Sequence, residues 1–359
     1  MRKTLTAAAG LAAIASGAQA HHGITGQFDT STTFEVSGVV TSLDFVNPHS
    51  YVNFDVTESD GTVTPWRCEM RAATVLRRSG WSEDMFKPGT EISIHGSPDR
   101  RDSQTCYMIT VTFADGTTVE RYSQLSEDTM PAPGDDARPA YLANGQPNIS
   151  GDWAATQRLQ TGLGVLGLGM GMRGNFGGGA AAGIEPTEAG IAAAAGYVAA
   201  TDNPRFQCKA VNIFNDWTFD QHVNRITQDD DVVILQYDFM DIVRTVHLDM
   251  SEHPDDIRPS KAGHSIGHWE GDTLVVDTIG FEPGYLNTRS GTMYSGEMHV
   301  IERFTYNSET MELHRSYVAE DPLYFTGQFT GQDRLEIADI PFEPYDCSDL
   351  TNEIINSRG

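Results

Sequence analysis

His21, His22 and His49 are the residues of this sequence best suited to hold a metal. Ala18-Gln19-Ala20 followed by His21-His22-Gly23 has the small residues of a signal-peptidase site, and Arg2, Lys3 and the apolar stretch from Leu5 to Ala15 supply the rest of an export signal. Cleavage after Ala20 would leave the α-amine of His21 beside its own imidazole, a bidentate chelator, with the His22 ring next along the chain. Together with His49, in the Asn47-Pro48-His49 turn, they make a nitrogen set that suits Cu(II). The amine and rings must be deprotonated to bind, so affinity should fall below about pH 6 to 7. The competing reading is that the polar pair merely flanks a cleavage site and that a histidine after Asn-Pro bonds to backbone. Met170 and Met172 offer thioethers to Cu(I), although a Met-x-Met pair in Gly-rich sequence is commonly incidental.

A second constellation lies on Asp241 to Asp249. Period-two geometry puts Asp241, Thr245, His247 and Asp249 on one face, and Arg244 among Ile242, Val246 and Leu248 on the other. An arginine on an apolar face needs a carboxylate, for which Glu302 and Glu270 are candidates. One account is a buried ion pair bracing a barrel. The other is an enzyme acting on a small apolar or aromatic substrate, in which Arg244 holds a carboxylate or carbonyl, His247 or His268 does acid/base work and an acidic residue such as Glu270 assists.

Other motifs carry less. His264 and His268 would share a helical face as zinc ligands do, but Gly263, Gly267 and Gly271 argue for a strand, on which the rings lie about 13 Å apart. Gly169 to Gly174 matches G-x-G-x-x-G, yet no strand precedes it and no helix starts on it.

Composition restricts the partners. The sequence holds 24 basic and 50 acidic residues, and loss of Arg2 and Lys3 leaves 22 against 50, a formal charge of −28. Such a surface repels phosphate backbones and anionic lipid, which argues against nucleic-acid and membrane-surface binding. No later run is long and apolar enough to span a bilayer, so a periplasmic or secreted, soluble location is expected. In an oxidising compartment Cys68, Cys106, Cys208 and Cys347 should pair. Of the three connectivities, Cys68 with Cys106 and Cys208 with Cys347 keeps each bridge inside one domain.

The elements that must position these residues are mainly strands. Behind a signal over residues 1–20, residues 21–125 show five alternating runs: Phe34 to Phe45, Tyr51 to Val56, Thr62 to Met70, Glu91 to His95 and Tyr107 to Phe113. A short helix over Arg71 to Arg78 follows the third, the order of an OB-like five-stranded barrel. An acidic, Pro-rich linker is expected over 126–148. A larger antiparallel, calycin-like β-barrel then covers 149–350, with a Gly-rich insertion at 162–183 and one helix at 185–200. A barrel of that kind can hold one small apolar ligand.

Two resemblances accompany this reading. His21-His22-Gly23, Gly38-Val39-Val40, Asn47-Pro48-His49, Arg77-Arg78-Ser79-Gly80-Trp81 and Lys87-Pro88-Gly89 resemble a family of exported bacterial proteins of unknown function whose mature chains begin with paired histidines. Asn148 to Trp153, Gly267 to Asp277 and Glu302-Arg303-Phe304 resemble a second set of uncharacterised exported proteins. Gly151-Asp152-Trp153 is similar to the G-x-W opening of lipocalins, as is Gly267-His268-Trp269. The His21 ligand types resemble those of a histidine brace. The resulting expectation is an exported protein that binds copper through its N-terminal histidines and a small ligand in the second barrel. The alternatives are the barrel enzyme described above and a structural envelope adaptor that uses its acidic surface. Oligomeric state is not legible.

Overall fold

A computed structural model describes residues 27–125, 139–155, 183–199, 202–219 and 222–348. The expected signal, His21, His22, residues 126–138 of the linker and nearly all of the Gly-rich insertion lie outside them.

The first module is built from strands β1 (Phe34–Asp44), β2 (Tyr51–Thr57), β3 (Val63–Glu69), β4 (Glu91–Pro98), β5 (Thr105–Phe113) and β6 (Thr118–Glu120). The first three pair antiparallel in succession, β4 joins the free edge of β1, and β5 joins β4. A parallel pairing of β3 with β5 closes a five-stranded barrel, to which β6 adds an edge. The helix Ala73–Arg78 follows β3 as expected of an OB-like order, starting two residues later than the sequence suggests. Turns occur where Asp-Gly predicts them: Gly61 and Gly116 have φ of 87° and 86°, open to glycine at no steric cost. Inward-facing Val36, Val40, Phe54, Ile92, Ile94, Met108 and Val111 form the core, with Trp81 and Phe86 stacked over it.

The second module is a closed nine-stranded barrel. In spatial order its strands are Val232–Gln236, Val243–His247, His264–Glu270, Thr273–Ile279, His299–Asn307, Glu312–Glu320, Phe329–Ile337, Gly151–Ala155 and Val223–Gln228. All neighbours run antiparallel except Val243–His247 and His264–Glu270, which are parallel and joined by a long connection through Ser251 and Pro259. Sequence periodicity overlooks the short strand Gly151–Ala155 and the polar strand Phe329–Ile337. Both alternate too weakly to announce a buried face.

Two boundaries differ from expectation. The helix expected over 185–200 runs only from Glu188 to Ala193, because Thr187 caps it by accepting from the Gly190 amide and Ile184–Pro186 pairs instead with Phe325–Gly327. The described part of the linker, Pro139 to Asn148, is not free: Tyr141 bonds Asp272, and Asn144 bonds Asp230, fixing it to the second barrel. Trp217 lies in a turn and Thr218 in a bend. The segment Val211 to Trp217 plugs the barrel, where Phe214 and Trp217 pack against Tyr317, Tyr237 and Phe304.

Both expected disulfides form, Cys68–Cys106 across β3 and β5 and Cys208–Cys347 over 139 residues. The second ties down a C-terminal strap that also grips the first barrel. Asn47 Nδ2 donates to the Tyr345 carbonyl at 2.7 Å and its own carbonyl accepts from Ser348 N at 2.7 Å. Arg78 reaches Asp339 at 2.8 Å, and Arg77 reaches Glu343 at 2.8 Å. Among the described residues no helix is long and apolar enough to cross a membrane.

Candidate functional site: the cleft between the barrels

Arg244 points into the second barrel and is fully buried. Its Nη2 pairs with Glu302 and donates to Thr278 Oγ1 at 3.1 Å, while Nη1 donates to the Tyr237 hydroxyl at 3.1 Å. Glu302 also meets Arg315 at 3.3 Å, and Arg315 continues to Asp333 at 2.5 Å and to the plug carbonyls of Ile213 and Phe214. Burial opposes both guanidinium charges, but the carboxylates outweigh it and hold both groups above their ordinary values. Burial pushes Asp333 up. Arg244 thus sits in a chain of two arginines and two carboxylates that anchors the plug to the wall.

His247, His268 and Glu270 face away from it. His268 is exposed on the outer wall, 3.2 Å from Glu270, and this hydrogen bond together with one from Arg303 holds Glu270 below the usual carboxylate value. His247 stacks on His264 with centroids 5.3 Å apart. His264 Nδ1 touches His253 Nδ1 at 2.8 Å, and His253 Nε2 and His299 Nε2 both reach Asp277 Oδ1, at 3.2 and 2.8 Å. Burial first, then His253 and His247, lowers the His264 imidazole. His264 and His268 lie on a strand, as their glycines indicate, not on a helix. The four residues Arg244, His247, His268 and Glu270 therefore do not converge on one cavity.

His49 does face a cavity. It lies at the β1–β2 end of the first barrel, beside a cleft of about 360 Å³ walled by both modules. The first barrel contributes His49, Glu69, Arg71, Tyr107, Arg121 and Tyr122. The second contributes Arg205, Phe219, His222, Phe239, Met240 and the strap residue Tyr345. Each side chain is held from behind. Arg121 donates to the carbonyls of Glu69 and Met70 at 2.5 and 2.9 Å and to Glu69 Oε1 at 3.2 Å. Arg205 donates to the buried Asp216 at 2.6 Å. His222 Nδ1 lies 2.9 Å from Asp238 Oδ2, which also accepts from Val223 N. Phe219, Phe239 and Tyr345 surround the His222 ring. Burial pushes the Tyr107 hydroxyl up, and it shares a hydrogen bond of 2.9 Å with Tyr122.

The polar atoms of these walls that are buried without a hydrogen-bond partner include His49 Nδ1, which is 3.4 Å from Glu69 Oε1 but poorly aligned, Arg121 Nε and Arg205 Nε. Met240 carries φ of 61°, a left-handed conformation costly for a residue with a Cβ and kept where surroundings enforce it. Of these wall residues the sequence singles out His49 alone. A usable signal existed for two more, since pairing Cys208 with Cys347 already draws Arg205 and Tyr345 together.

A family model described as a family of unknown function (DUF6152) matches residues 8–108. No curated protein matches the chain. Among solved structures, a mutant of the fluorescent protein UnaG matches at 14% identity with a TM-score of 0.20, covering 33% of this chain and 73% of that one.

Proposed function

We propose that this chain is an exported small-molecule binding protein whose ligand occupies the cleft between the barrels. The gathering of His49, Arg121 and Arg205, each with a buried nitrogen that lacks a hydrogen-bond partner, in the walls of one cavity supports this reading. Buried polar atoms are nearly always paired, and each orphan costs about 1 to 3 kcal/mol unless a ligand or water meets it. A cavity at a domain interface, mostly apolar with a few converging polar groups, is the usual form of a small-ligand site. The second barrel is a less suitable container because the plug fills its axis with Phe214 and Trp217. Two disulfides agree with export. Native mass spectrometry of protein taken from its own compartment tests the reading: a bound small molecule should be present and should be lost when Ala72, which also lines the cleft, is replaced by the larger ring of Ala72→Phe. A ligand that persists in that variant refutes it.

Copper at the N-terminus is a second reading, favoured by one contact. Phe28 packs on Tyr107 with centroids 5.5 Å apart, and Tyr107 lines the same cleft as His49. His22 precedes Phe28 by six residues, which can span up to about 20 Å, so chain length lets His21 and His22 reach His49. Protein cleaved after Ala20 should take up one Cu(II), with a spin-resonance spectrum dominated by nitrogen. Uptake unchanged by His49→Ala and by an extra residue before His21 overturns the copper reading.

A further inference from the structure

The walls of the cleft also narrow the class of ligand, an inference that rests on the cleft being the ligand site. Arg71, Arg121 and Arg205 face it against one carboxylate, Glu69, among its lining residues, although the chain as a whole holds twice as many acidic as basic residues. Asp216 behind Arg205 offsets part of this charge, but it is the guanidiniums that line the cleft, so the wall offers an anion hydrogen-bond donors.

Each guanidinium lies over an aromatic ring. Arg121 is 3.9 Å from the Tyr107 centroid, Arg205 is 4.1 Å from that of Phe219 and 5.1 Å from that of Phe239, and Arg71 is 5.1 Å from that of Tyr122. Stacking fixes the plane of a guanidinium through its face and leaves its N–H edges to donate within that plane, the geometry that matches a carboxylate. Glu69 does not saturate these edges. Its Oε1 accepts from Arg121 and lies 3.4 Å from His49 Nδ1, its Oε2 faces the Tyr51 hydroxyl at 3.5 Å, and Arg121 Nη1 and Nη2 also donate to backbone carbonyls. The Nε groups of Arg121 and Arg205 are left without an acceptor.

The rest of the wall is apolar and flat. Phe239, Met240 and Tyr345 form a buried cluster joined by Phe219. The Phe219 and Phe239 rings stack with centroids 4.1 Å apart, and Tyr345 meets Phe239 edge-on at 5.1 Å. Inorganic phosphate would use the guanidiniums and leave these rings idle, whereas a neutral ring would do the reverse. We infer that the cleft binds a planar aromatic carboxylate, with its carboxylate against the guanidiniums that line the cleft and its ring against Phe239 and Tyr345. A cavity of 360 Å³ is near the lower end of the range for ligand pockets, about 300 to 1,000 Å³, which suits one or two fused rings.

The test is calorimetric titration of disulfide-intact protein with indole-3-acetate, with indole supplying the ring alone and acetate and inorganic phosphate the charge alone. Indole-3-acetate should bind at least tenfold more tightly than any of the three. Arg205→Lys keeps a cation for Asp216 and removes the planar fork, so it should cost indole-3-acetate about tenfold while leaving indole unchanged. Tyr345→Leu should weaken both ring compounds, and thermal melts identify any variant that fails to fold. Indole binding as tightly as indole-3-acetate, but lost in Ala72→Phe, overturns the carboxylate class and leaves the cleft as the site. Phosphate competing as well as indole-3-acetate, or no member of the panel binding, also overturns the class. Indole-3-acetate binding undiminished by Ala72→Phe overturns both the class and the cleft.

Discussion

Replacing Glu302 by Gln removes one negative charge from the interior of the second barrel. In the native protein the chain Arg244, Glu302, Arg315 and Asp333 balances two guanidiniums against two carboxylates. After the substitution Arg315 keeps Asp333 and the carbonyls of Ile213 and Phe214, but Arg244 is left with the neutral hydroxyls of Tyr237, Ser265 and Thr278. Arginine does not deprotonate to escape burial, so one positive charge is left in the core without a counter-ion. Breaking a buried pair this way costs about 3 to 5 kcal/mol. The double replacement Arg244→Met with Glu302→Leu removes one charge of each sign and should cost less than the single change, because the desolvation of both ions disappears with them. Urea unfolding at neutral pH, followed through the buried fluorescence of Trp153 and Trp217, measures both. A loss below about 1 kcal/mol for Glu302→Gln, within the range of an exposed pair, would refute the argument. So would a double variant at least as damaged as the single one.

Further expectations follow from other contacts. His264 is held below its ordinary value of 6.5 by burial, His253 and His247, so the unfolded chain takes up that proton first. Stability should therefore drop as pH falls from about 6.5 until the folded ring also protonates, and His264→Gln should flatten that part of a melting-temperature profile. An unchanged profile refutes the role of this ring. Cys347→Ser opens a bridge spanning 139 residues and should cost about 5 kcal/mol in the chain-entropy model, with loss of cleft binding as the Tyr345 strap loosens. Calorimetry and ligand titration read the two effects, and a variant that melts and binds normally contradicts them. Of the two salt bridges from the helix Ala73–Arg78 to the strap, the exposed Arg77–Glu343 pair should contribute less than about 1 kcal/mol. The buried Arg78–Asp339 pair should cost about 3 kcal/mol when broken as Asp339→Asn. Equal losses on denaturant unfolding would show that burial is not what separates them.

The alternation of Val36, Val40, Ile92 and Ile94, the Asp-Gly turns and the helix after the third strand were enough to derive the first barrel, because each is a local signal whose meaning does not depend on distant residues. The cysteine pairing followed from keeping each bridge inside one module. The need of Arg244 for a carboxylate also follows from period-two geometry, which fixes the face a side chain takes. That geometry does not name the partner, and tertiary structure selected Glu302 over Glu270 because Glu302 points inward from its strand while Glu270 lies on the outer wall. Nothing local marks Arg121 or Arg205 for the cleft. They come from opposite modules, and the cleft exists only where the two barrels meet and the Cys208–Cys347 strap lays Tyr345 across the join. A strand's period reports burial within one sheet, whereas a site shared by two domains is set by their packing and by long-range cross-links.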